Sequence, residues 1–247
     1  MQKQLDAIEL LPREPVHRLP GCWYVQDSRM LRDLDERTVD AMARASTTAT
    51  YAPGELLHQA GDPIDAVAFV SRGRVKVYRL SRDGKQQTIA LLGPGDAFGE
   101  IGMVDRDAQD LYIEALEDTT VCRTTRDSFL QLASRDPALA IRLAEAMGEK
   151  LQEARERIAD FAFRDIRGRT AHLLITLLAR ERRLTGDPAR DRFEPGLTHR
   201  ELADIIGTRR ESVTLALNSL ERDGLIAIDG REIVIGDHDA LREVAEA

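Results

Sequence analysis

The sequence predicts an α+β protein in three parts: an N-terminal antiparallel β-roll (a double-stranded β-helix), a long central helix and a C-terminal winged helix-turn-helix. Short apolar runs between glycine turns fill residues 50–125, as in antiparallel sandwiches and barrels. A helical pattern without a break covers about residues 138–161. Two short amphipathic segments flank Gly207 within residues 197–225, a spacing typical of the helix-turn-helix.

The composition favours a globular protein of the reducing cytoplasm. The 247 residues, 43% hydrophobic and 32% charged, suffice for two ordinary domains. No apolar run approaches the length of a membrane-spanning helix, and the N-terminus has no signal-peptide pattern. We therefore expect no membrane partner. Two cysteines do not make a disulfide framework.

The net charge of −8 does not exclude nucleic acid, because a DNA-binding surface needs only local positive charge. The arginines that can supply it are Arg164, Arg167, Arg169, Arg200, Arg209 and Arg210. The net negative charge of the rest of the chain would keep non-specific DNA binding weak.

The chain divides into four predicted segments. Residues 1–28 are polar and interrupted by prolines, and we expect a loose arm. Residues 29–137 form the predicted β-roll sensor domain, which opens with a short helical segment at 29–45. Residues 138–165 form the central helix and a hinge, and residues 166–247 form the DNA-binding domain.

Within the β-roll, strand-like apolar runs lie at residues 66–70, 75–78, 89–92 and 111–115. Asp83-Gly84 separates the second run from the third and is typical of a tight hairpin. A helix is expected at residues 126–136, and Asp136-Pro137 marks its end. A β-roll of this kind can enclose a small ligand.

The central helix carries an apolar stripe at spacings of three and four residues. Its members are Leu143, Met147, Leu151, Ala154, Ile158 and Phe161. We interpret the stripe as a dimer interface, because helix-turn-helix proteins read two half-sites through two-fold symmetry. The alternative is a core helix within a single chain. Residues 165–169 break the pattern as a hinge, a helix follows at 170–183, and residues 184–196 form an exposed polar loop.

The helix-turn-helix begins with two capping-box patterns. Thr198 with Glu201 caps the first helix, and Thr208 with Glu211 repeats the spacing for the second. The residues expected to face the core are Leu202, Ile205, Ile206, Val213, Leu217 and Leu220. Those expected to face outward are Arg210, Glu211, Thr214, Leu215 and Asn218.

The outward face suits a DNA major groove, where arginine donates to guanine and glutamate accepts from cytosine. The alternative is a helical hairpin inside a core with a solvated front. Residues 225–228 and 232–235 flank Asp229-Gly230 and predict a wing, and residues 237–246 predict a closing helix.

Four segments resemble the Crp/Fnr family of bacterial transcription regulators over about residues 31–235. They are GELLHQAGDPIDAVAFVSRGRVKVYRL, GPGDAFGEIG, RIADFAFRDIRGRTAHLL and TRRESVTLALNSLERDGLI. The resemblance implies a homodimer that binds an inverted repeat in double-stranded DNA near promoters. It also implies that a ligand or redox state in the β-roll shifts the DNA-binding domains about the hinge.

The resemblance fails at the sensing site. Cyclic-AMP-binding members use a Gly-Glu pair, matched here by Gly99 and Glu100. Their phosphate-binding Arg-Ser pair aligns with Gln109 and Asp110, so no guanidinium is supplied and an aspartate stands where the phosphate would lie. Their adenine-contacting Thr-Ser pair aligns with Ala154 and Arg155. We therefore expect a vestigial pocket without cyclic-AMP control; the alternative is a ligand-gated regulator that uses cyclic AMP or another small molecule through an atypical pocket.

Neither an iron–sulfur cluster nor haem is expected. Cys122 aligns with the β-roll cysteine of the family's cluster-binding oxygen sensors, but two thiols cannot hold a cluster. We expect a buried structural thiol at Cys122 and a packed anchor at Cys22 beside Trp23. The alternative for Cys22 is a reactive, redox-responsive thiol. No Cys-x-His pair resembles that of the haem-containing branch, so no cofactor is predicted.

The resemblance assigns roles on the DNA-binding face. Arg210 and Glu211 match two of the family's three base readers, and Leu215 stands at the third, where it can touch a thymine methyl. We assign Thr198, His199 and Arg209 to phosphates. The loop at 184–196 lies where family activators touch RNA polymerase, which favours an activator. A metal-dependent β-roll enzyme needs clustered ligands, and the β-roll offers His58 alone, so no enzymatic activity is expected.

Overall fold

The structure, a computed structural model, describes residues 29–31, 33–100, 102 and 110–246. The predicted N-terminal arm, Cys22 and Gln109 lie outside these residues. The helical segment expected at 29–45 is divided into a 3-10 turn, Arg29–Leu31, and helix α1, Glu36–Ala45. Asp33 between them has a φ of 63°, a left-handed conformation that interrupts a helix.

The N-terminal domain is the predicted antiparallel β-roll. Its strands are β1 (Ser46–Tyr51), β2 (Leu56–His58), β3 (Ala66–Arg72), β4 (Val75–Leu80), β5 (Gln86–Leu92), β6 (Ala97–Phe98), β7 (Tyr112–Ala115) and β8 (Thr119–Thr125). They form two four-stranded sheets in the orders β1-β8-β3-β6 and β2-β7-β4-β5. The β4–β5 hairpin turns at Gly84, whose φ is 77°, as the Asp-Gly pair predicts.

Strands β1 and β8 have no apolar run in the sequence, yet they pair along their length from Ser46↔Thr124 to Tyr51↔Thr119. Both are rich in threonine, a β-branched residue that favours extended backbone. Only some residues of each strand are buried, such as Ala49 in β1 and Val121 in β8. A search for apolar runs therefore misses them.

Helix α1 and the helices that follow β8 cover the outer face of the β1-β8-β3-β6 sheet, and a hydrophobic core lies between them. Phe69, Cys122, Phe129 and Leu139 are fully buried there. Cys122 is buried as expected, but its sulfur is disulfide-bonded. The prediction of a free structural thiol is therefore wrong for Cys122, and the other half of the bond lies outside the described residues.

Helix α2 spans Arg126–Arg135, and the long helix α3 spans Pro137–Phe163. Asp136 separates them and caps α3, because its Oδ1 accepts from the Ala138 amide at 3.0 Å. Pro137 at the first position of α3 lacks only an amide that would have no helical partner there. With 27 residues, α3 is about 40 Å long.

The hinge is shorter than the sequence predicts. Helix α4 spans Ile166–Thr185, so only Arg164 and Asp165 interrupt the two long helices, and the predicted break over residues 166–169 is wrong. Asp165 caps α4 by accepting from the Gly168 amide at 2.7 Å. Gly168 lies within α4 at a close approach to α7, since a Cβ there would lie 3.1 Å from the Val244 carbonyl oxygen.

The C-terminal domain is a winged helix-turn-helix. Its elements are β9 (Arg192–Phe193), α5 (His199–Ile206), α6 (Arg210–Arg222), β10 (Ile226–Asp229), β11 (Glu232–Ile235) and α7 (His238–Glu246). The wing and the closing helix are confirmed. Strand β9 pairs with β11 and buries Phe193 to 1% exposure. Residues 184–196 are therefore not a loop throughout, because α4 extends into them and β9 closes the wing sheet.

The DNA-binding domain contacts the β-roll of its own chain through side chains that donate to backbone carbonyls. Gln87 on β5 donates to the Asp204 oxygen of α5 at 2.8 Å. Arg74 donates to the Pro195 oxygen at 2.7 Å. Arg180 of α4 donates to the Leu91 oxygen, also at 2.7 Å. These contacts hold the helix-turn-helix beside the β4–β5 hairpin.

Candidate nucleic-acid interface

The first helix of the motif, α5, has the predicted capping box. Thr198 Oγ1 accepts from the Glu201 amide at 3.2 Å, and the Glu201 carboxylate accepts from the Thr198 amide at 2.7 Å. Gly207 ends the helix with a φ of 68°, a conformation that glycine adopts without strain. A Cβ on Gly207 would also lie 2.5 Å from Cε1 of Phe161. The turn is therefore fixed by both conformation and packing.

The second predicted capping box is wrong. Helix α6 begins at Arg210 after Arg209, which makes no capping bond through its side chain. The Thr208 amide instead donates back to the Ala203 oxygen at 3.0 Å. Thr208 belongs to the end of the turn after Gly207, so Glu211 is the second residue of α6. Its carboxylate still lies in the first turn, where the helix dipole favours negative charge.

The two faces of α6 divide as predicted. Val213, Leu217 and Leu220 are at most 1% exposed. The side chains on the opposite face are exposed, and Leu215 reaches 70% exposure. That front consists of Arg209, Arg210, Glu211, Leu215 and Asn218, with the half-buried Thr214 beside it. A helix with a buried back and a charged first turn has the shape that enters a major groove.

Thr214 is tied to the first helix of the motif. His199 Nδ1 lies 2.9 Å from Thr214 Oγ1, and the same hydroxyl donates to the Arg210 carbonyl oxygen at 3.1 Å. His199, predicted to contact phosphate, thus also contacts the groove-facing helix. The sequence offered no signal for this pair, because the two residues lie on different helices.

Only part of the predicted positive charge is available at this surface. Arg167 pairs with Asp223 at 2.5 Å, Arg164 pairs with Asp160, and Arg169 donates to the Ile206 oxygen at 3.0 Å. These three arginines are engaged in contacts within the chain. Arg200, Arg209 and Arg210 are exposed and make no ion pair within the described part of the chain.

Two sequence profiles match the chain in the order of its domains. The cyclic nucleotide-binding domain matches residues 48–136, and the Crp-like helix-turn-helix domain matches residues 168–244. The chain belongs to the Crp/Fnr family. Regulators of this family bind DNA and act as dimers.

Individual members of the family resemble the chain over most of its length. The cyclic AMP receptor protein of Thermus thermophilus is 29% identical over 223 residues, which cover 90% of this chain and 98% of that protein. The cAMP-activated global transcriptional regulator Vfr of Pseudomonas aeruginosa is 27% identical, covering 75% and 87%. The structure of FixK2 from Bradyrhizobium japonicum matches with a TM-score of 0.73 and 26% identity, covering 82% and 98%.

Within this Crp/Fnr fold, Glu100 is buried to 3% exposure and meets the long helix. Lys150 Nζ of α3 lies 2.5 Å from Glu100 Oε1 and donates to the Ala97 oxygen at 3.0 Å. Gly99 precedes it with a φ of 82°, and a Cβ there would lie 2.3 Å from the Ala66 oxygen. Both residues therefore have structural roles, and Lys150 is a partner that the sequence interpretation missed.

The remaining described residues of the predicted pocket are exposed. Asp110 lies at the surface and accepts from Arg79 at 2.6 Å, so a guanidinium is present, contrary to expectation, but it is paired with a carboxylate. Ala154 and Arg155 are exposed on α3. Gln109 lies outside the described residues.

The apolar stripe of α3 divides into two parts. Leu143 packs on the core beneath α1 and α2, and Phe161 packs against Gly207, with Arg169 5.3 Å from its ring centre. Leu151 and Ile158 are 54% and 69% exposed. The middle of the stripe has no apolar cover within the described part of its own chain.

Two further findings concern other classes of protein. None of the described helices is long and apolar enough to cross a bilayer. Among the described residues, no cluster of three or more histidine, cysteine, aspartate or glutamate side chains is arranged to hold a metal ion.

Proposed function

We propose that this chain is a sequence-specific transcription regulator that acts as a homodimer on an inverted repeat near promoters. The observation that carries the proposal is the front of α6, where Arg210 and Glu211 are exposed beside Leu215 above a fully buried back. In the major groove an arginine donates to the edge of guanine and a glutamate accepts from cytosine, so this pair in the first turn of an exposed helix suits base recognition.

The same face sets the expected half-site. Arg210 donates to guanine and Glu211 accepts from cytosine, so this half-site retains the G·C pairs that the matching residues read in the family's site. Leu215 cannot donate, and discrimination at the third position of the family's site is therefore changed. Arg209, Thr198 and His199 contact phosphates, which fix the register of the helix without reading sequence.

The homodimer is supported by α3. The exposed side chains of Leu151 and Ile158 lie seven residues apart, the spacing of a helix–helix interface. Ala154 continues the stripe between them, and Met147 extends it toward the start of α3. An identical helix from a second chain covers this surface and brings two copies of α6 onto one face.

We further propose that cyclic AMP does not control this regulator and that it binds DNA without a ligand. Support comes from Asp110, which occupies the aligned phosphate position and holds the nearby guanidinium of Arg79. Glu100 is likewise paired with Lys150. The alternative is that cyclic AMP or another small molecule gates the regulator through an atypical pocket.

We favour activation of transcription over repression. Residues 186–191, between α4 and β9, are exposed for most of their length and stand where family activators touch RNA polymerase. The acidic and basic side chains there suit a contact with another protein. In this proposal the regulator acts in the cytoplasm. Its partners are double-stranded DNA and RNA polymerase.

The test is an operator selection followed by a gel shift with purified protein and no added ligand. An inverted repeat should be recovered, and it should shift at nanomolar protein, the usual range for specific sites. Calorimetry with cyclic AMP and cyclic GMP runs beside it. Recovery of no palindromic site, or binding only after a cyclic nucleotide is added, would contradict the proposal.

A second candidate is redox control through the cysteines, with Cys22 as the responsive thiol. The observation that favours it is the disulfide at Cys122, a fully buried residue beside Phe69. If redox state governs DNA binding, the affinity for the selected operator changes at least several-fold between oxidised and dithiothreitol-treated protein. Equal affinities in both states would exclude this candidate.

A further inference from the structure

The hydroxyl of Thr214 is held on two sides at the DNA-facing surface. Thr214 Oγ1 lies 3.1 Å from the Arg210 carbonyl oxygen, one turn earlier in α6. It lies 2.9 Å from His199 Nδ1 at the start of α5. The capping box of Thr198 and Glu201 fixes the backbone of the first turn of α5, whose first residue is His199.

Counting donors and acceptors gives one arrangement in which both bonds form. A carbonyl oxygen only accepts, so the single hydroxyl proton of Thr214 goes to the Arg210 oxygen. The contact with His199 then requires the tautomer in which Nδ1 carries a proton and donates to the hydroxyl oxygen. In this arrangement Thr214 has no donor left for a guanine or for the thymine carbonyl. The other group that this side chain can offer to DNA is its methyl.

We propose that His199 is a positioning residue that holds the Thr214 hydroxyl away from DNA, so that Thr214 reads a thymine 5-methyl group through its own methyl. The proposal rests on α6 being the groove-reading helix, as proposed above. It assigns His199 a base-specific effect exerted through Thr214, in addition to any phosphate contact by Nε2.

Leu215 extends this apolar surface. It follows Thr214 directly and is 70% exposed, whereas Arg210 and Glu211 lie one turn nearer the start of α6. The helix thus presents a polar pair in its first turn and an apolar pair in its second. Such a surface reads G·C pairs next to thymines, because apolar side chains recognise the thymine methyl.

The first experiment removes thymine methyl groups from the DNA. Each thymine of one selected half-site is replaced by deoxyuridine, and the dissociation constants are measured for wild type, Thr214→Val and Thr214→Ser. In wild type one substitution should weaken binding about three- to five-fold, as expected for one buried methyl group. Thr214→Val, which keeps a methyl and loses the hydroxyl, should retain that penalty. Thr214→Ser, which keeps the hydroxyl and loses the methyl, should lose it.

The opposite pattern overturns the proposal. If Thr214→Ser keeps the deoxyuridine penalty and Thr214→Val loses it, the hydroxyl is the reader. Leu215→Ala is the matched control on the neighbouring residue, and it should remove the penalty at a different thymine while leaving the Thr214 position unchanged.

The second experiment separates positioning from phosphate binding by a double-mutant cycle. In His199→Ala the freed hydroxyl can rotate, so the penalty at the Thr214 thymine should shrink. In Thr214→Val no hydroxyl needs to be held, and valine keeps one strongly preferred rotamer in a helix. His199→Ala should therefore leave the penalty intact in that background.

A pure phosphate contact gives another result, in which His199→Ala weakens thymine and deoxyuridine operators by the same factor in both backgrounds. That outcome overturns the positioning role. Melting temperatures establish that each variant is folded, and the Thr214 pair tests the methyl contact even if His199→Ala does not fold. Failure of wild type to select any operator would contradict the proposed function, whereas a selected operator without the Thr214 pattern contradicts this inference alone.

Discussion

Single side chains at the front of α6 have separable consequences for DNA binding. Arg210 and Arg209 are neighbours, both exposed, yet only Arg210 lies inside the helix that faces the groove. Their charges are the same, so the pair is a matched test of base reading against phosphate binding.

Arg210→Ala should cost about 1–3 kcal/mol on the selected operator and flatten the preference at one base pair. Arg209→Ala should weaken all sequences to a similar extent and lower the salt slope of log K by about 1. Fluorescence anisotropy at several salt concentrations measures both. A base-specific loss in Arg209→Ala, or unchanged selectivity in Arg210→Ala, would reverse the assignment.

His58 makes the stability of the β-roll sensitive to pH. Burial, its largest cause, lowers the pKa of His58 below the ordinary 6.5, and Arg123 acts in the same direction. Its Nε2 is buried with no hydrogen-bond partner among the described residues. The unfolded chain therefore binds more protons than the folded one at mildly acidic pH, and stability is lost as pH falls below 6.5.

We expect the melting temperature to drop between pH 7.5 and pH 5.5, and His58→Leu to reduce that drop. The wild-type curve serves as the reference, because the half-buried His238 contacts Arg182 and is not a neutral comparison. A drop of the same size in His58→Leu would show that other groups are responsible.

Residue patterns predicted most of the DNA-binding face. The apolar spacing in α6 distinguishes its buried and exposed sides, since a helix turns by a fixed angle per residue. The pairs between distant residues could not be predicted in this way. Lys150 with Glu100 and His199 with Thr214 depend on how separate elements meet, which one sequence does not encode in any local pattern.

At the scale of elements, helix ends decide how the motif is built. The structure keeps the capping box at Thr198 and lacks the one expected at Thr208. Both threonines have the capping-box spacing, but only Thr198 makes the capping hydrogen bond. Comparing them therefore tests whether the hydrogen bond itself stabilises the fold.

Thr198→Ala should lower the free energy of unfolding by about 1 kcal/mol, the usual cost of losing an N-cap. Thr208→Ala should change it by less than about 0.5 kcal/mol, as for ordinary surface substitutions. Urea denaturation of the full chain gives both values. Equal losses in the two variants would mean that Thr208 stabilises the turn in a way the hydrogen bonds do not reveal.

Elements with strong local signals were predicted, and elements defined by packing were not. The Asp-Gly hairpins, the proline that opens α3 and the glycine of the turn each act through their own backbone preference. Strand β9 exists because β11 supplies a partner, and α4 begins four residues before its expected start, where it packs against α7. Neither cause can be seen in a window of neighbouring residues.

For the molecule as a whole, we propose that the exposed middle of α3 governs assembly. Leu151→Glu places a charge on the surface that we propose to be the dimer interface. The variant should be monomeric at micromolar concentration and bind the full operator at least ten-fold more weakly, because one copy reaches one half-site.

Sedimentation equilibrium measures the assembly state. Leu184→Glu is the matched control, since Leu184 is 51% exposed at the far end of α4, and it should remain dimeric. A dimeric Leu151→Glu variant would place the interface elsewhere.

The hydrogen bonds by which Gln87, Arg74 and Arg180 join the β-roll to the DNA-binding domain share one property, because each is donated to a main-chain oxygen. A main-chain oxygen is present whatever residue occupies the position. Arg180 adds an ion pair with Asp96, and neither of these two residues lies in α5 or α6. The exposed side chains at the front of α6 can therefore be exchanged for those of another operator specificity without losing these bonds, and a single β-roll can serve regulators with diverging target genes.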